Sequence, residues 1–203
     1  MRKATRIVAS LLGVFAGIGG PEHGVFETMR GNVRPETIVF ASMGPPCQPE
    51  QVWHACEPAM SIIPNYLVTG ILATIVGLAV IAWSAAFVHR KHGGLVLILL
   101  SIALLLVGGG LFPPLIGVVA GVIGTRINAP IQRQPTRLTP FLARLWPWSM
   151  VVFYVWMFGQ FIFGHFFNEF MISSGYVFPL LIIGLMVLAI ASGVAQDVQR
   201  AAE

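Results

Sequence analysis

The chain has 203 residues, of which 56% are hydrophobic and only 10% charged, with a formal net charge of +4. Too few polar side chains are present to cover a soluble globule of this size, so the composition is that of an integral membrane protein. The basic excess does not point to nucleic acid, because Lys and Arg lie in short segments beside apolar runs, where lipid phosphate is the nearer counterion.

A helix crossing the ~30 Å hydrocarbon core needs roughly 20 apolar residues, since backbone amides find no water there. The first such run covers about 6–28 and follows the basic residues Arg2, Lys3 and Arg6. Met1–Arg6 and the Val14-Phe-Ala16 run have the form of a cleavable leader. Against that reading, glycines at 13, 17, 20, 24 and 31 continue along one helical stripe past the would-be cleavage point. Stripes of small residues let membrane helices approach closely, so Gly13, Gly17, Gly20 and Gly24 are expected to meet another copy or a membrane partner. Pro21 is expected to kink this helix or start a new one. His23 and Glu27, at i and i+4, fall on or beside the packed stripe rather than facing lipid.

A polar loop over about 30–62 follows, with Cys47 and Cys56 in it. If that loop faces an oxidising compartment, a disulfide between the two is expected. Cys47, His54 and Cys56 could instead offer three metal ligands, but their spacing matches no strong zinc pattern. The second span covers about 64–88, and the segment 89–94 after it is basic.

The next apolar run, 95–124, would reach ~45 Å as one helix, too long for an upright span. It is broken by Gly108, Gly109 and Gly110 and by Pro113 and Pro114, which remove helical propensity and backbone donors. Either it is one kinked, tilted span, or it is a re-entrant hairpin that returns to the side it left. Short cytoplasmic loops carry an excess of Lys and Arg, which separates the two readings. With the N-terminus inside, a single crossing puts five basic residues inside and seven outside, whereas a hairpin puts ten inside and two outside. The hairpin is therefore the expected topology, and the chain is expected to be all-α, a polytopic transmembrane bundle of one domain over 1–203, with both termini cytoplasmic. Prolines 130, 135, 140 and 147 forbid a long helix in the next loop, and Arg126, Arg133, Arg137 and Arg144 are expected to meet anionic headgroups.

The last two spans cover about 148–169 and 178–195. Near the end of the first, His165 and Glu169 repeat the i, i+4 spacing, and Gln160, Gly164 and Asn168 form a thin polar line. Under the hairpin topology His23, Glu27, His165 and Glu169 all reach the outer level of the membrane. Convergence of the four would make a transition-metal or proton-linked site, whereas span-end residues of this kind more often bond each other, loop amides and water. His-x-x-x-Glu is a weak motif in itself. No cofactor is firmly expected, and a transition metal is the one the residues could take.

The runs Gly20-Pro-Glu-His-Gly24, Gly31-Asn32, Glu57-Pro-Ala-Met60 with Ile62-Ile-Pro-Asn65, His92 to Leu100, and Gly108–Gly110 to Pro113-Pro114 resemble a family of small bacterial multi-pass membrane proteins of unknown function. The resemblance covers roughly residues 5–130. It implies a bacterial membrane location, here the cytoplasmic membrane, and no activity. Three functions stay open: a structural or accessory membrane component, which is the main expectation and not an enzyme; a small-solute or ion-translocating protein using the broken 107–114 segment; and a redox or metal-binding membrane protein using the His/Glu pairs.

Overall fold

A computed structural model describes residues 1–42, 53, 56–132 and 134–203. Along the chain run α1 (Lys3–Met29), β1 (Val39–Ala41), β2 (Pro58–Met60), α2 (Tyr66–Ala86), α3 (Gly93–Leu106), α4 (Phe112–Gly124), α5 (Thr139–Arg144), α6 (Trp148–Phe166), α7 (Asn168–Ser173) and α8 (Val177–Ala202). The protein is an all-α helical bundle, and α1, α2, α6 and α8 are each long and apolar enough to cross a membrane. It is therefore a multi-pass membrane protein. The chain forms two compact units: one from Met1–Val8, Trp53 and the described part of Asn128–Glu203, the other from 9–42 and 56–127.

In the second unit, the glycine stripe of α1 lies on α2. A Cβ at Gly20 would stand 2.5 Å from the Ala73 carbonyl and 2.6 Å from Gly77 Cα, and one at Gly17 would stand 2.6 Å from Ile81 Cγ1. Gly24 meets Gly70 and Thr74, and Gly13 meets Ser84. The stripe lies on a helix of its own chain, because only another small-residue face lets two backbones touch. Gly31 is not part of the stripe: it lies past the end of α1, where its N–H bonds Thr28 O at 3.0 Å. Pro21 stays inside an unbroken α1. Its ring leaves the Gly17 carbonyl without an intrahelical donor. Gly77 faces that oxygen, since a Cβ there would lie 2.7 Å from it, a position suited to a weak Cα–H···O contact.

The 95–124 run is a hairpin. Helices α3 and α4 pair as Ser101 with Gly117, Ile98 with Gly121 and Gly94 with Gly124, an antiparallel register that returns residue 124 to the level of residue 94. The turn is made by Gly108 and Gly110, at φ +95° and +83°, which a residue with a Cβ adopts only under strain. Gly109 N–H bonds Leu104 O at 2.9 Å and closes α3, while Pro113 and Pro114 fall in the first turn of α4, where no amide donor is needed. Strands β1 and β2 pair antiparallel, Val39 with Met60 and Ala41 with Pro58. The chain then runs onto the hairpin turn, with a bridge between Ser61 and Val107 and a bond from Ile62 N–H to Leu106 O of 3.0 Å.

In the first unit, α8 packs on α5 and α6. Ser149 of α6 and Ser192 of α8, both buried, share a hydrogen bond of 2.5 Å. Asp197 of α8, 5% exposed, accepts from Ala4 N–H (3.0 Å), Thr5 N–H (2.8 Å) and Thr5 Oγ1 (2.7 Å). Those amides begin α1 and have no intrahelical acceptor, so Asp197 caps that helix from 192 residues away.

One expectation fails here. His165 and Glu169 are not on one helix: α6 ends at Phe166, Phe167 takes φ −124° and ψ 42°, and Glu169 belongs to α7. The break coincides with Asn168, whose Oδ1 accepts the Trp53 N–H at 3.0 Å. Asn is a weak helix former because its amide competes for backbone bonds in this way.

Candidate functional site

His23 and Glu27, one turn apart on α1, are 1% and 0% exposed. Both lie against the hairpin turn. A Cβ at Gly108 would stand 2.5 Å from Glu27 Oε2, and a Cβ at Gly110 would stand 2.5 Å from His23 Nε2. The two glycines thus serve two purposes: they make the turn, and they leave room for a carboxyl group and an imidazole beside the main chain.

One buried hydroxyl bonds the carboxyl group, and two more lie on the far side of the turn. Ser42 Oγ donates to Glu27 Oε1 at 3.0 Å. Thr69 turns its Cγ2 methyl to Gly108, while its Oγ1 shares a hydrogen bond of 2.6 Å with Ser61 Oγ. Ser61 Oγ accepts the Ile63 N–H at 3.0 Å. Ser42, Ser61 and Thr69 are 0%, 3% and 0% exposed. Arg30 bonds the Ser42 carbonyl at 3.4 Å and lies 4.8 Å from the centre of the Tyr66 ring. Among the described residues, Glu27 Oε2 and His23 Nδ1 find no hydrogen-bond partner. Close by in sequence to β2, half-buried Glu57 is pushed up to about 7 by burial and, secondarily, by the Glu22 carboxylate.

The second expected pair differs in kind. His165 and Glu169 are exposed. The polar line beside them is occupied: a Cβ at Gly164 would stand 2.7 Å from Trp53 Cδ1, Asn168 holds the Trp53 amide, and Gln160 bonds Met157 O at 3.1 Å. Among the described residues no three His, Cys, Asp or Glu side chains gather where they could hold a metal ion. Cys56 is disulfide-bonded, while Cys47 and His54 lie outside the described residues. Arg126, Arg137 and Arg144 are exposed, and Arg133 lies outside the described residues.

Sequence reasoning missed the hydroxyls at 42, 61 and 69 and the capping role of Asp197. Single Ser and Thr residues carry no periodic signal. Asp197 was visible as a lone acid near the end of the last span, which is a legitimate flag for an internal partner. No family model, curated protein or solved structure matches the chain.

Proposed function

We propose that the chain is a structural or accessory component of a bacterial cytoplasmic membrane, with a cytoplasmic N-terminus and no catalysis of its own. The observation that supports this most is the closure of the α3–α4 hairpin. Its arms meet backbone to backbone at Gly94, Gly121 and Gly124, so the broken segment works as an internal buttress rather than as the wall of a passage. The return of residue 124 to the level of residue 94 also agrees with the orientation in which ten of the twelve Lys and Arg residues face the cytoplasm. In that orientation Arg126, Arg133, Arg137 and Arg144 meet anionic headgroups. Native mass spectrometry in mild detergent is expected to find the chain in fixed stoichiometry with a second membrane subunit, and proteoliposomes of the chain alone are expected to leak no more solute than empty ones. Solute flux from the purified chain would overturn the reading.

A translocating function is the second reading, and one observation favours it: Glu27, an ionisable group with one oxygen unpartnered among the described residues, faces the broken α3–α4 turn within the bundle. Flux abolished by Glu27→Gln would establish it in place of the first.

A further inference from the structure

The α3–α4 hairpin is shorter than the helix it packs on. With 21 residues α2 reaches ~30 Å, the thickness of the hydrocarbon core, whereas α3 and α4, with 14 and 13, reach only ~20 Å. Trp83 Nε1 donates to Gly93 O at 2.9 Å and sets the start of α3 beside the last turn of α2. At the other end Thr69, in the first turn of α2, turns its methyl to Gly108. The chain after β2 comes to that same level: Ser61 bridges Val107, and Ile62 N–H bonds Leu106 O at 3.0 Å. Non-helical backbone therefore lies level with the first turn of a membrane span, and it exposes aliphatic side chains. Ile38, Val39 and Ile62 are 64%, 43% and 65% exposed. Ser61 N–H donates to Ile38 O at 2.9 Å, which brings the two isoleucine-bearing stretches together at one end of the ribbon.

We propose that the β1–β2 ribbon is an interfacial anchor, with Ile38, Val39 and Ile62 seated on lipid acyl chains of the leaflet at the C-terminal end of α1. Two observations name lipid as what covers them. The patch adjoins a span, since Ile62 lies just before α2, whose exposed face carries Val68, Ile71 and Ile75. The main chain beside the patch is also bonded internally, which hydrocarbon demands and water does not. Val39 O accepts the Thr37 hydroxyl, Ile63 N–H donates to Ser61 Oγ at 3.0 Å, and the Ile38 carbonyl and Ile62 amide have the partners named above. Exposed Arg34 and Glu36, on the approach to β1, then stand at headgroup level, where charge stays solvated. The ribbon thus fills, at one end, the depth that the short hairpin leaves open. This extends the membrane-spanning architecture and does not depend on the accessory reading.

Photo-crosslinking of the purified full-length chain in proteoliposomes tests the proposal. Benzoylphenylalanine is placed at Ile38, at Ile62 and, as a lipid-facing reference, at Leu78 of α2, which is 53% exposed. Because all three positions are exposed, the bulky probe needs no room in the core. After illumination, mass spectrometry counts the chains that carry a covalently attached phospholipid. Adduct yields at 38 and 62 within about threefold of the yield at Leu78 are expected. A lower yield at either position overturns the proposal, because the ribbon then faces water. Crosslinks between two chains in place of lipid adducts overturn it too, and would make the ribbon a contact between copies. None of these results bears on the flux and subunit measurements that test the accessory reading.

Discussion

Asp197 accepts three hydrogen bonds from the first turn of α1, two of them from backbone amides. Removal of a capping side chain costs about 0.5–2 kcal/mol, and here the orphaned amides are buried, so Asp197→Ala is expected near the upper end of that range. Thermal unfolding in detergent would show it as a lowered midpoint, with Asp197→Asn falling between the variant and the parent. At Gly108 two penalties add, the left-handed backbone and the collision with Glu27 Oε2. Gly108→Ala should therefore destabilise by at least ~1 kcal/mol, whereas Gly159→Ala, where a Cβ meets nothing within 4 Å, should be neutral or stabilising. Glu57 gives a pH dependence. Its folded-state value, about 7, lies above the ordinary 4.5, so folding favours the neutral acid. Stability is fully present below about pH 4.5 and is lost as pH rises through 7. Glu57→Gln should flatten the melting temperature across that window. At this scale the burial of His23 and Glu27 was legible from the glycine register, because helical spacing fixes which side chains share a face. The partners of those residues were not, since they come from a loop and from other helices at no fixed spacing.

Between elements, the α1–α2 seam depends on the absence of side chains. A Cβ at Gly77 would stand 2.7 Å from Gly17 O and 2.8 Å from both Gly20 Cα and Pro21 Cδ, so Gly77→Val must push the helices apart. Its unfolding midpoint in detergent is expected to fall by several degrees. Gly184→Val, at an exposed position of α8 with nothing within 4 Å, serves as the control and should match the parent. The small-residue pattern announced close packing but could not name the partner: a stripe of glycines fits a second copy as well as a neighbouring helix. The 108–114 break was legible because Gly and Pro act locally on the backbone. The break at Phe167 was not, since it coincides with a bond that Trp53 N–H, 115 residues away, donates to Asn168. For the same reason the short β1–β2 pair, with three residues in each strand, left no alternating pattern to read.

For the whole molecule, the side on which the chain emerges after α4 fixes everything downstream. Lys and Arg counting favoured a return to the starting side, and the Gly94–Gly124 pairing gives the same answer through packing, an independent source. Both rest on simple physics: cationic loops stay where anionic lipid holds them, and two short helices with facing glycines close on each other. The division into two units had no counterpart in composition, because each unit is apolar throughout and α1 belongs to both. The most direct test of this architecture is a sidedness assay on intact cells, with one reporter in the 89–92 loop and another just after Arg137. The hairpin predicts that both report the same side, which the proposed orientation makes the cytoplasmic one. Reporters on opposite sides would mean that 95–124 crosses the membrane once, and would contradict it.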